Sequence, residues 1–560
     1  MKKHIKFFAL PLLALLLTGC DFSFIEDLIS GLDNTQESVD RSIPSTDGLM
    51  VYEGDGSDYG GYDYQPANAK EGYALAEPSK YTIEDIGAST WELEFPSKGT
   101  QRLLVIPVAF TDYARYKTDA IREDIYATFF GKPKETGWES LSSFYYKSSF
   151  HQLNIRGVVS EWYDSGMSTS QFAALSDASH SNYDPTWTIL EDAVKWYKTN
   201  YNTKGLEFDN NNDGFLDGVW LVYGAPNYTN DTRLDSDVFW AYTFYDASVF
   251  DHIRYQSDLD GLKKNPVPYH YCWASFDHMY EGYGKSRVDA HTYIHETGHL
   301  MGLPDYYVAS STDAYKTNYG PMGYVDMMDA NVIDHNAYSK MSYGWVTPYV
   351  PETSCTITLH PSASTGECLI LPTSGGWNGT PFDEYMLLEF YTPTELNYSD
   401  ARTAYTNGVR GFTIPGIRLF HVDSRMVLLN NAYEPTSYID RFDAATQAVD
   451  IANDNTAAYN LYTSKIGNIR HRLIQLIDCE GKENYDTSYM YQQGQKVGKV
   501  ASNGILFTEG KSFSFDTYKD SFPEYHFSNK SLMNDGTALP WSFRVSSIDA
   551  NGATIEIIRA

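Results

Sequence analysis

Apolar positions along the chain fall into short runs of strand length and longer stretches with helical spacing. Leu103-Leu104-Val105-Ile106-Pro107-Val108-Ala109-Phe110 is an unbroken apolar run that suits a buried strand. Leu153-Asn154-Ile155-Arg156-Gly157-Val158-Val159 alternates like a strand, and Val219-Trp220-Leu221-Val222-Tyr223 reads as another. Helical patterns fall at about 118–130, over Leu141 to Phe150, and over Asp184 to Trp196. The last opens on Asp184-Pro185, an N-cap followed by a first-turn proline. A further helix is predicted with Val288, Ala290 and Ile294 in its body. Ser286 and Asp289 have the spacing of a capping box, and Gly302 and Pro304 mark the stop. His335 to Trp345 reads as one more helix. Strands and helices mixed in this way predict an α/β (α+β) domain over residues 99–350.

From about residue 351 the pattern changes to short strands separated by Gly, Pro, Asn and Asp. Thr356-Ile357-Thr358-Leu359, Tyr385-Met386-Leu387-Leu388-Glu389-Phe390 and Ala553-Thr554-Ile555-Glu556-Ile557-Ile558 are examples. They predict an all-β sandwich region over 351–560, in one or two parts. Residues 21–98 are different again. Tyr52-Glu53-Gly54-Asp55-Gly56-Ser57-Asp58-Tyr59-Gly60-Gly61-Tyr62 is acidic, glycine-rich and poor in branched aliphatics. That composition predicts a flexible tether or a short pro-region.

At the N-terminus, Lys2, Lys3 and Lys6 precede an apolar stretch from Phe7 to Leu17 that is too short for an ordinary membrane span. It ends in Leu17-Thr18-Gly19-Cys20, which resembles a bacterial lipobox. The resemblance implies a lipoprotein signal over residues 1–20, cleavage before Cys20, acylation of its thiol, and a protein tethered to the outer face of the membrane. Of the other cysteines, Cys355 and Cys368 form the best-placed local disulfide in an exported chain.

The 560 residues are enough for two or three domains with sizeable cores. A formal net charge of −31 argues against nucleic acid as a partner, because phosphate binding needs a basic face. Tyrosine is abundant, at 46 residues, which core and sheet positions can absorb.

The chemistry concentrates in His295-Glu296-Thr297-Gly298-His299-Leu300-Met301-Gly302-Leu303-Pro304-Asp305. Residues four apart share a helix face, so His295 and His299 can present imidazoles to one metal ion. Glu296 then lies beside the metal, where a general base for its water belongs. A turn at Gly302 could return Asp305 as third ligand, leaving the open position of a catalytic zinc site. The competing readings are a helix whose histidines satisfy core hydrogen bonds, and a metal site without catalysis. The intact Glu296 argues against the second.

Two further stretches bear on the chemistry. Asp209, Asn211, Asp213 and Asp217 have the spacing of oxygen ligands in a calcium loop, with Gly214 at the turn. Trp220 stands where an EF-hand places its glutamate, so the loop is no EF-hand; a plain Asx-rich turn is the alternative. In Tyr319-Gly320-Pro321-Met322-Gly323-Tyr324-Val325-Asp326-Met327-Met328-Asp329, Met328 is the candidate for a methionine beneath the ligands, as in metzincin-type peptidases.

Together these segments resemble the M6 (immune inhibitor A-like) family of metallopeptidases. The resemblance rests on His295–Asp305, Phe144–Phe150 with the strand after it, the Asp209–Asp217 loop, Asp326-Met327-Met328 and Ala337–Trp345, and extends to Glu384–Glu389 and Gly416–Asp423. It implies a zincin/metzincin-like catalytic domain and a secreted zinc endopeptidase of protein or peptide substrates, with calcium as a structural ion. By position His295 and His299 are zinc ligands and Glu296 the base. Asp305 is the third ligand, with Asp326 and Asp329 as other carboxylates that could approach. The alternative function is a catalytically silent surface lipoprotein binding host protein or glycan through its β region. Oligomeric state is not readable from the sequence.

Overall fold

The computed structural model describes residues 42–43 and 47–560 except 91, 93, 134, 176–182, 228–236, 246–258, 283–286, 309–319, 406–407, 444–445, 457–470, 482–484, 493–494 and 519–530. Cys20 and Ser286, and with Ser286 the predicted capping box, lie outside the described residues. The fold is mixed α/β with several sheets. No described helix is long and apolar enough to cross a membrane.

The N-terminal segment supplies β1 (Met50–Tyr52), β2 (Tyr73–Leu75) and α1 (Ile83–Ser89). Then come β3 (Gly99–Ala109), α2 (Asp119–Phe130), α3 (Leu141–Ser148) and β4 (Leu153–Val159). The α/β part continues through α4 (Tyr183–Asn200), β5 (Val219–Tyr223), β6 (Tyr242–Tyr245), β7 (His270–Ser275) and α5 (His291–Leu300). The first sheet has the order β1-β4-β3-β5-β7-β6. Its four inner strands are parallel, and β1 and β6 are antiparallel edges.

The unbroken apolar run in β3 is explained by burial on both faces. Leu103 and Val105 enter one core with α2, α3 and α5. Leu104, Ile106 and Val108 enter another with Ile189, Val194 and Tyr197 of α4. α3 stops before Phe150, where Phe150 and His151 take positive φ and turn the chain into β4. α5 starts later than its sequence pattern predicts: Ala290 is its N-cap residue, and Val288 instead forms a β-bridge with Thr136.

A second sheet, β16-β12-β11-β10-β8-β2, joins β8 (Tyr349–Pro351), β10 (Cys368–Pro372), β11 (Glu384–Tyr391), β12 (Gly416–Asp423) and β16 (Ile474–Ile477) to β2. A third sheet, β9-β19-β18-β17, is made of β9 (Cys355–Leu359), β17 (Ser512–Ser514), β18 (Trp541–Ile548) and β19 (Ala553–Arg559). Met386, Leu388 and Phe390 of β11 pack with Ile357, Phe543 and Ile555 of the third sheet. Tyr385, Leu387 and Tyr391, on the opposite face of β11, belong to the core that also holds α5. The second sheet is therefore buried on both faces, between the third sheet and the α/β core. A small sheet of β13 (Met426–Leu429), β14 (Pro435–Ile439) and β15 (Val449–Ile451) lies beside it.

Two expectations are corrected. Residues 47–90 are not a loose tether, because they add β1 to the first sheet and β2 to the second. Their acidic side chains meet basic partners that are distant in sequence: Glu53 pairs with Arg102 and Arg156, and Asp58 with Lys132. Composition suggested disorder because it does not reveal those partners. Cys355 and Cys368 are both free thiols, the first on the third sheet and the second on the second sheet.

Candidate metal centre

α5 carries the motif, and neighbouring groups hold it by its backbone. Tyr145 from α3 donates to Ile294 O at 2.6 Å, and Tyr343 donates to Gly298 O at 3.0 Å. The indole of Trp220 on β5 donates to the hydroxyl of Thr297 at 3.1 Å. Part of the tyrosine abundance is thus spent on phenols that clamp buried carbonyls.

His295 and His299 lie one turn apart, with their Nε2 atoms 3.1 Å from each other. After α5, Gly302 takes φ 96°, a conformation that costs a side chain strain, and the chain reverses. The reversal brings Asp305 back, so that its Oδ1 lies 3.0 Å from both imidazole Nε2 atoms. It also brings Leu303 O to 2.6 Å from Nδ1 of His299. His295 Nδ1 meets Met327 O at 2.7 Å.

Those outer contacts set the tautomers. A carbonyl only accepts, so each Nδ1 carries a hydrogen, and each neutral ring turns a lone pair at Nε2 inward. Two such lone pairs and a carboxylate oxygen meet around one point, which is unfavourable unless a cation sits among them. Protons alone can serve: burial opposes charging His299, yet Asp305 overrides it and raises the imidazole to about 9. The same partners hold Asp305 below the usual carboxylate range, against the effect of its burial. A metal ion meets the same demand with one charge centre. Two imidazoles and one carboxylate match the donor set of a catalytic zinc site, and this is the one potential metal cluster of three or more His, Cys, Asp or Glu side chains found among the described residues.

Glu296 is buried, and burial pushes its carboxyl above the usual range despite the neighbouring imidazoles. The hydroxyl of Thr243 donates to its backbone oxygen at 2.7 Å. Tyr307 hydrogen-bonds to Asp305, and burial followed by that carboxylate raises the phenol well above its ordinary value.

Met328 sits in a single helical turn, α6 (Met327–Ala330), rather than an open turn. Its sulfur packs against Gly298, the residue before His299. The other two carboxylates considered are used elsewhere. Asp326 caps α6 through Met328 N and accepts from Asn336 at 2.9 Å, and Asp329 accepts from Tyr324 N at 2.8 Å.

The Asp209–Asp217 loop is organised as an Asx turn. Asp209 accepts from the backbone of Asp213 and Gly214, Asn211 accepts from Asp213 N, and Asp213 accepts from Phe215 N. Asp217 accepts from Asn210 N. Burial and mutual repulsion raise Asp213 to about 7 and push Asp217 up as well. The carboxylates lie close to each other but do not converge as the three side chains at α5 do.

Several contributors are invisible in the motif. Thr243 lies 53 residues before Glu296 and carries no sequence signal. His291 is a core residue stacked on Trp138 at 4.1 Å between ring centroids. Its ring faces Asp289 at 2.5 Å and Asp400 at 3.2 Å. The Asp289-x-His291 spacing hinted at the first partner, whereas Asp400 comes from the chain after β11. Asn455 likewise reaches in and donates to Tyr306 O at 3.0 Å, fastening the segment after Asp305 to the β region.

Comparisons with models of known protein families and with curated proteins return no match.

Proposed function

We propose that the protein is a zinc endopeptidase of the zincin type that hydrolyses protein or peptide substrates. The observation that carries this is the convergence of His295, His299 and Asp305, with both histidines oriented by backbone carbonyls and Glu296 on the next position of the same helix. Zinc bound there would supply Lewis acidity toward a scissile carbonyl and a lowered pKa for the attacking water. Glu296 takes the proton of that water and passes it to the leaving amine. Burial of Glu296 favours its proton-bearing form between the two steps. Tyr307, bonded to Asp305, steadies the third ligand.

Export and acylation at Cys20 belong to the same reading and rest on the first twenty residues. Calcium at Asp209, Asn211, Asp213 and Asp217 is a structural adjunct to it. The test is casein or labelled-peptide hydrolysis by the 21–560 chain beside Glu296→Ala, with bound metal measured in both. Activity in the parent alone, with about one zinc in each, supports the reading. Folded protein with neither zinc nor activity refutes it and favours a binding lipoprotein.

A further inference from the structure

Thr243 belongs to β6, an edge strand of the first sheet among the described residues, and its hydroxyl touches Glu296 at both ends. The single hydroxyl hydrogen is shared between the backbone oxygen of Glu296, 2.7 Å from Oγ1, and the carboxylate Oε2 at 3.2 Å. Behind it, Cys272 of β7 is its cross-strand partner and places Sγ 3.2 Å from the same hydroxyl. The other carboxylate oxygen, Oε1, has no hydrogen bond among the described residues. One half of the carboxylate is thus tied to the edge strand, and the other half is left for chemistry.

We propose that Thr243 is a positioning residue that fixes the rotamer of Glu296 from the edge strand; this rests on the peptidase reading above. A glutamate has three rotatable side-chain bonds, and a base works only when its oxygen stays within hydrogen-bond reach of the proton it removes. The HExxH spacing leaves the outer torsions open, because helix geometry restricts χ1 but not χ2 and χ3. A hydroxyl whose hydrogen bridges the backbone carbonyl and the carboxylate of the same residue does restrain them. It holds Oε2 at a set height above α5 and leaves Oε1 as the working oxygen. The arrangement also makes the base answer to the edge strand: a shift of β6 moves Thr243, and Thr243 moves Glu296.

The test compares Thr243→Val with Thr243→Ser in the full zinc-loaded chain. The readouts are kcat and KM on a labelled peptide, zinc content and melting temperature. Valine keeps the shape and removes the hydroxyl. It is expected to lower kcat by about 10- to 100-fold while KM stays within about twofold, as for an interaction felt in the transition state. Zinc content stays at about one per chain. Serine restores most of the rate. Thr243→Ala carries the same expectation as valine and keeps the test standing where the extra methyl disturbs the strand. An active parent whose valine and alanine variants keep the parental kcat overturns the inference and leaves the peptidase reading intact. So does a rate loss matched by zinc loss, or one that serine does not relieve. A zinc-loaded parent that cleaves no peptide overturns both together.

Discussion

Gly298 lies directly over Met328: a Cβ at position 298 would come within 2.7 Å of the methionine sulfur. The close approach lets α6 sit under α5, where Met327 O can orient His295. Glycine inside a helix ordinarily costs about 0.5–1 kcal/mol relative to alanine. Here overpacking reverses the sign, since Met328 is fully buried and its backbone oxygen is held by Tyr306 N at 2.7 Å. Gly298→Ala is expected to destabilise by about 1–3 kcal/mol. Urea unfolding checks it, and a gain in stability would contradict the packing described.

On the proposed function Asp305 is a metal ligand and Asp326 a structural carboxylate. Asp305→Asn is expected to weaken zinc binding beyond the roughly 10- to 100-fold typical of an outer hydrogen-bond partner. Asp326→Ala removes the cap of α6 and the bond from Asn336. It should cost about 1–3 kcal/mol while about one zinc per chain is retained. Metal analysis and thermal melts on both variants decide the assignment; zinc loss in Asp326→Ala alone would reverse it.

His291 predicts a pH dependence. Burial disfavours its charged form, but Asp289 and Asp400 prevail and raise it to about 10, from an ordinary value of 6.5. The folded value lies above the unfolded one, so its contribution is complete below about pH 6.5 and fades as pH rises through about 10. In unfolding experiments the stability difference between the parent and His291→Gln should shrink steadily across that window. A difference that grows with pH would mean the imidazole is neutral in the folded protein.

The layout of the sheets predicts that 99–350 does not make a stable fragment. That cut removes β1 and β2, Phe95 from beneath the core, and the second sheet from its surface. Exposed apolar surface of that extent favours aggregation. A chain beginning at residue 47 should melt cooperatively, whereas 99–350 should bind a hydrophobic dye and show no sharp transition. Cooperative unfolding of the shorter fragment would show that the α/β core stands alone.

Sequence alone determined what short spacing encodes. Histidines four apart share a helix face, an eight-residue apolar run is a buried strand, and glycine three residues beyond His299 permits the reversal. These follow from local backbone geometry, so β3, β4, β5, α2 and the helix that carries the candidate site were legible. The tertiary structure brings Asp305, the carboxylate that the spacing after His299 pointed to, beside both imidazoles and uses Asp326 and Asp329 in backbone contacts elsewhere. It also decided the partners that closure brings from afar: Thr243 for Glu296, Asp400 for His291, and Arg102 and Arg156 for an acidic segment whose composition reads as a tether. Contacts across tens to hundreds of residues leave no periodic trace in the chain, since their free energy is realised only when distant surfaces are buried against each other.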